Sequence, residues 1–365
     1  MWAMRVVFAP DKFAGTLTAL EAAEAMASGW RRHDPALVAD VVPMADGGPG
    51  FVEVLHTSLG GELVEVTVRG PHGAPTPAQV LLVGETAYVE SAQANGLHLV
   101  AGGDPRRAST YGVGELVAEA IDLGATRVVL GVGGSGTTDG GAGMLGALGA
   151  LADVPLDQGP DGLAGVSSVD LRPVWDVVDE VELVLASDVD NPLTGMFGAA
   201  KVYGPQKGLS EADVLEVDAV LERFAALCDR RTSLSPGAGA AGGLGFAALL
   251  LDAERRPGFA VVAEAVGLSG RIMSADLVVT GEGSFDLQSG AGKTPYGVAQ
   301  VAQHALRPCV VIAGRVEVGA RESRALGMDG AYSLLEVVGA ERALGEPAAA
   351  VAEVAERVAR SWLPA

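Results

Sequence analysis

The segment RVVLGVGGSGTTDGGAGMLGALGALA, residues 127–152, limits what this chain can fold into more than any other stretch. An apolar β-branched run passes through seven glycines between positions 131 and 143 into a run of small residues. That pattern predicts a buried strand, a tight turn and a helix packed close to its sheet, since glycine permits both the turn and the close approach. The embedded GVGGSG satisfies G-x-G-x-x-G, where backbone N–H groups and a helix N-terminus can receive an anion. A dinucleotide site also needs an acid closing the next strand, whereas Asp153 and Asp157 fall in the loop-like ADVPLDQGP. Dinucleotide binding, tight packing alone and another anion or nucleotide all stay open, and the last is favoured.

The rest of the chain repeats the theme. MRVVFA, LVADVVPM, VELVLASDVDNP, ADLVVTGEGSFD and PCVVIAGRV read as strands running into turns, several of which carry acids, and a shorter GAYSLL follows. Thr18 and Glu21 form a capping box for a first helix, and Phe51 to Leu59 reads as a second. ELVEVTVRG, TPAQVLLV and TAYVES alternate as strands, with GPHG as a turn. Helices are expected at 210–229, around 240–266 and near 347–361, and another with Thr294 as N-cap and Pro295 at its first position. With 49% hydrophobic residues, 51 glycines and few aromatics, the class is α/β.

Formal net charge is −21, so nucleic acid and acidic membranes are not expected partners, and local donors must hold any phosphate. TSLSPGAGAAGGLGFAALLL is long and uncharged, but its proline and glycines make it a loop entering a buried helix, not a membrane span. MWAMRVVFAPD reaches an acid at position 11 without a signal-like apolar core, so a cytoplasmic location is expected. Cys228 and Cys309 have no ligand spacing and read as inert thiols.

Asp11, Asp46, Asp188, Asp190, Glu282 and Asp286 all fall at strand ends, where an open α/β sheet places its ligand crevice. Such acids suit Mg²⁺ and a general base in phosphoryl transfer. Lys12, Lys207 and Lys293 are charge clamps, and Gly133, Gly134, Ser135, Thr137 and Thr138 offer donors to phosphate or substrate oxygens. SGAGKTP is not a P-loop, because Leu287 stands where glycine is required, and Ser284 lacks the nucleophile-elbow context. The five histidines show no ligand spacing.

Taken together, APDKFAGTLTALEAAEAM, PMADGGPG, GVGGSGTTDGGAGML, ASDVDNPLTG, YGPQKG, GAGAAGGLG and VVTGEGSFDLQSGAGKTPYGVA resemble the bacterial type I glycerate kinase family, in order and spacing. The resemblance implies ATP-dependent phosphorylation of D-glycerate, with 2-phosphoglycerate favoured over 3-phosphoglycerate, and Mg²⁺ as cofactor. It also implies two α/β domains with an interdomain cleft. The first, residues 1–61 plus 293–365, has a parallel sheet formed by both chain ends; the inserted second, 62–292, has a mixed sheet and the glycine loop. Asp188 is then the expected general base, with Asp11 and Lys293 as further catalytic residues and Glu282 and Asp286 on the metal. Lys12, Asp46, Asn191, Lys207 and the glycine loop bind substrate or phosphate. Ala14, Pro49, Ser284 and Ala291 depart from the family pattern at charged positions, which leaves a related hydroxy acid as an alternative substrate. A nicotinamide-dependent oxidoreductase and a non-catalytic carboxylate-binding protein are the other readings, and oligomeric state is left open.

Overall fold

The computed structural model describes residues 3–286 and 294–362. Among these residues the strands are β1 Arg5–Phe8, β2 Val38–Val41, β3 Glu62–Arg69, β4 Pro75–Val83, β5 Thr86–Glu90, β6 Arg127–Gly131, β7 Leu151–Ala152, β8 Val169–Asp170, β9 Glu182–Ala186, β10 Glu254–Arg256, β11 Leu277–Phe285, β12 Cys309–Val316 and β13 Gly330–Ser333. The chain divides into two compact units. The first holds the residues up to Asp46, Glu53–Leu59 and those from Gly258 onward; the second holds Gly47–Val52 and Gly60–Pro257.

The first unit is built on a sheet of order β13-β12-β11-β1-β2 in which every pairing is parallel. Val6, Val7, Phe8, Leu277, Val278, Val279 and Val310 are fully buried, which is why these strands read as continuous apolar runs. The Ala19–His33 helix starts as expected: Thr18 Oγ1 accepts from the Glu21 amide and Glu21 accepts from the Thr18 amide. Its Trp30 meets Phe8 edge to face at 6.0 Å and shares a core with Val351, Val354 and Val358 of the Pro347–Trp362 helix. Truncating so large a buried side chain to alanine costs about 3–5 kcal/mol.

The second unit has a mixed sheet of order β10-β9-β6-β5-β4-β3. β3, β4 and β5 are joined antiparallel, with the Gly70 amide closing the first hairpin on the Ala74 carbonyl. β5, β6, β9 and β10 are parallel neighbours, so the ends of β6 and β9 lie side by side with Gly131 opposite Ala186.

Two expectations need correction. The chain returns to the first unit at Gly258, not at 293, because β11 is inserted between β1 and β12 and the helices Gly258–Ala265 and Leu268–Met273 lead into it. The helix expected around 240–266 is two helices, Leu244–Leu250 and Gly258–Ala265, separated by β10. Asp252, at φ 55°, takes the chain out of the first of these, and Glu254–Arg256 then pairs with β9. Both cysteines are free thiols, and burial pushes that of Cys228 up to about 12. Among the described residues no helix is long and apolar enough to cross a membrane.

Candidate active site

In the second unit, segments distant in sequence meet at the carboxyl ends of β6 and β9. The Gly133 amide donates to the Gly47 carbonyl at 3.0 Å, which lays the Gly47–Pro49 turn over these strand ends. A Cβ on Gly133 would stand 2.6 Å from Gly48 Cα, so only glycine fits. Pro49 packs on Gly134. From the other side the GAGAAGGLG segment closes in: the Gly140 amide donates to Gly242, and Ser135 Oγ donates to the Ala241 carbonyl at 3.2 Å.

Beneath this turn lies a buried polar network. Lys207 Nζ donates to the Thr137 carbonyl at 2.7 Å and lies 3.5 Å from Ser135 Oγ. Asn95 Nδ2 donates to Thr137 Oγ1 at 3.1 Å and lies 3.5 Å from Ser135 Oγ. Burial holds the Lys207 ammonium down at about 7, and the charge of Asp139 opposes that fall. Ser135 gives its proton to a carbonyl and Lys207 makes its short bond to another, so the pair is arranged to hold the turn, not to activate a serine nucleophile.

The glycine loop does not present a helix N-terminus to a ligand. The helix that follows, Ala142–Ala147, has six residues, and the Gly141 and Gly143 amides at its start both donate to Asp139, at 3.0 and 3.2 Å. Asp139 also accepts from the Thr110 amide and hydroxyl, each at 2.8 Å. The amides of Gly133, Gly136, Thr137, Gly140, Gly141 and Gly143 are thus engaged within the unit, which removes the basis for a dinucleotide fingerprint. Thr138 is buried under Gly242, and what the turn offers is the region of Gly134, Ser135 and Thr137.

Asp188 is half-buried, two residues beyond β9 as Gly133 is two beyond β6. Ser187 anchors its approach by donating to Arg256, and Asp190 pairs with Arg255 at 2.7 Å. The Asn191 side chain is committed locally: Nδ2 donates to the Phe197 carbonyl and Oδ1 accepts from Tyr203, so it shapes the loop after Asp188.

The first unit gathers its own set. The Asp11 amide donates to Gly281, and the Met44 amide to Pro10, so Asp11 and Asp46 follow the ends of the adjacent strands β1 and β2, while Glu282 lies within the neighbouring β11, three residues before its end. Asp11 is buried; Thr294, the first residue of the Thr294–His304 helix, donates its hydroxyl to Asp11 Oδ2 at 2.8 Å, and Lys12 Nζ lies 3.7 Å from Oδ1. Burial raises the Asp11 carboxyl, Lys12 opposes this, and the nearby Asp46 charge adds to it. Lys293 and Ala291 lie outside the described residues. Gly283, the residue before Ser284, packs on the Phe13–Ala14 backbone.

Glu282 and Asp286 lie on one stretch of chain, within β11 and one residue past it. They are four residues apart along and just past an extended strand, a span of about 13 Å. Among the described residues no three His, Cys, Asp or Glu side chains form an all-protein metal cage. Mg²⁺ needs less, usually one or two carboxylates with water and phosphate oxygens, and Asp11 with Asp46, each in the other's field, fits that donor set.

Sequence reasoning missed Asn95, Thr110, Asp139 and Glu90. Asp139 carried a signal, an acid set among glycine amides that need an acceptor. Glu90 ends β5 and accepts from the Gly50 and Val52 amides, holding the start of the Phe51–Leu59 helix, which only the folded sheet reveals.

The glycerate kinase family model matches residues 6–363. The chain is 41% identical to the glycerate kinase of Bacillus subtilis over 371 residues, 98% of this chain and 96% of that protein. It is 38% identical to the glycerate 2-kinase of Escherichia coli over 349 residues, 92% of each. The crystal structure of a proposed glycerate kinase 2 from Salmonella typhimurium LT2 aligns with a TM-score of 0.84 at 37% identity, over 99% of this chain and 98% of that one.

Proposed function

This chain belongs to the glycerate kinase family, and from that premise we propose that it transfers the γ-phosphoryl group of ATP directly to a hydroxyl of D-glycerate, giving 2-phosphoglycerate. The observation that carries the reading is the meeting of the Gly47–Pro49 turn, the Gly133–Thr138 turn, Lys207 and the Asp188 loop around the ends of β6 and β9. Phosphoryl transfer needs positioned donors, a cation and a proton acceptor, and little covalent chemistry from the protein.

Asp188 takes the proton of the attacking hydroxyl. The backbone at Gly134 and Ser135 orients anionic oxygens, and the Lys207 ammonium within its network favours negative charge there. Lys293 pairs with the glycerate carboxylate. Asp11 and Asp46 would hold Mg²⁺, which when bound neutralises charge on the transferring phosphates. Thr294 and Lys12 fix Asp11 in place by hydrogen bond and ion pair. The protein works in the cytoplasm on small-molecule substrates.

Phosphorus NMR of the products from protein, Mg·ATP and D-glycerate tests this, because proton coupling to phosphorus distinguishes the two phosphoglycerates. Turnover of another hydroxy acid with glycerate inert would keep the kinase and overturn the substrate; absence of ADP formation with either would overturn the activity.

A further inference from the structure

We propose that Asp139 is a positioning residue for this reaction, acting through Lys207 and the Ser135–Thr138 turn without touching either substrate. The inference rests on the reading of that turn as the anion-binding part of the site. Asp139 is wholly buried and accepts four hydrogen bonds, from the Thr110 amide and hydroxyl and from the Gly141 and Gly143 amides. Burial raises the Asp139 carboxyl, and these four partners, every one a donor, oppose that rise in favour of the ionised form. Thr110 begins the Tyr111–Asp122 helix and its hydroxyl also accepts from the Met144 amide, so the one carboxylate ties two helices to the downstream end of the turn.

The turn's other anchor is Lys207, whose Nζ holds the Thr137 carbonyl two residues before Asp139. Lys207 is itself buried, and a cation in that setting keeps its proton only if an opposite charge compensates for lost water. Asp139 is the charged side chain that raises the Lys207 pKa against burial. The two opposite charges therefore bracket the residues offered to the ligand, one fixing their backbone and the other supplying positive potential.

A double-mutant cycle on the full-length enzyme, with Asp139→Asn and Lys207→Met singly and together, tests this. Asp139→Asn is expected to lower kcat at least tenfold per folded molecule, leave the KM values within a factor of a few, and move the alkaline limb of the kcat/KM profile down by about one pH unit. In the Lys207→Met background the same change is expected to cost clearly less than in the parent, because the route through Lys207 is already gone and only the anchoring of the turn is left to lose. Additive losses, or an unmoved pH profile, would overturn the proposal. Folding of the double variant where Asp139→Asn alone fails would support it through mutual charge compensation; failure of both to fold would leave Asp139 a scaffold residue and overturn it. Full activity of Lys207→Met alone would instead strike at the reading of the turn as the anion site.

Discussion

Lys207 Nζ reaches the Thr137 carbonyl oxygen at 2.7 Å across 70 residues of sequence, inside a buried network. A lysine so placed cannot swing into solvent to fetch a ligand, so it acts by charge from a fixed position. Lys207→Met keeps the stem and removes the charge, and is expected to lower kcat/KM about 10²-fold or more. Steady-state kinetics on protein whose circular dichroism matches the parent checks this.

The same lysine makes stability depend on pH. Its pKa is 10.5 when unfolded and about 7 in the fold, so between these values the unfolded chain binds the extra proton. Stability from this group is therefore absent below about pH 7, grows on raising the pH by about 1 kcal/mol per unit, and is complete above 10.5. Urea unfolding of parent and Lys207→Met at pH 7 and 9 is expected to show that rise in the parent alone.

Asp188 lies two residues beyond β9, level with Gly133 two beyond the neighbouring β6. As general base it loses its function on amidation while its shape is kept. Asp188→Asn is expected to lower kcat by about 10²- to 10⁴-fold with little change in KM for ATP. Wild-type turnover in a coupled ADP assay would remove the assignment.

The sequence patterns made the strands and their acidic ends legible because buried parallel strands are written as unbroken apolar runs. Thr18 and Glu21 located the first helix for an equally local reason. What they hid was long-range. Asn95 in SAQANGL carries no spacing signal, yet folding of β5 beside β6 delivers it to Thr137. The GVGGSG pattern pointed to an anion held by free amides and a helix N-terminus, and the fold spends the Gly133 and Gly136 amides on Gly47 and Asn95 and the helix-start amides of Gly141 and Gly143 on Asp139. The boundary expected at 293 was misplaced for a similar reason, since nothing in ADLVVTGEGSFD says which sheet the strand joins.

Asp46 and Asp11 lie close enough for the charge of one to raise the pKa of the other, an arrangement a divalent cation relieves. Asp46→Asn leaves a single full carboxylate there. The Mg²⁺ concentration for half-maximal rate is expected to rise about tenfold or more at saturating ATP, since phosphate oxygens supply the remaining ligands. An unchanged Mg²⁺ dependence would move the metal away from this pair.

Two glycines separate close approach from conformational freedom. A methyl at Gly133 meets Gly48 Cα at 2.6 Å and its nitrogen at 2.9 Å, all backbone, so the Gly47–Pro49 turn must lift away from β6. Gly133→Ala is expected to cost about 1–3 kcal/mol from overpacking and, because the displaced turn packs on Ala186 and Gly134, on the approaches to Asp188 and Ser135, to depress kcat as well. Gly270 lies inside the Leu268–Met273 helix, where a methyl would meet nothing within 4 Å and φ is not positive. There alanine is expected to add about 0.5–1 kcal/mol, by restricting the unfolded chain, and to leave kinetics unchanged. Thermal melts and kcat of the two variants side by side check both signs, and loss of activity without loss of stability at Gly133 would show that the turn's placement matters to chemistry more than to folding.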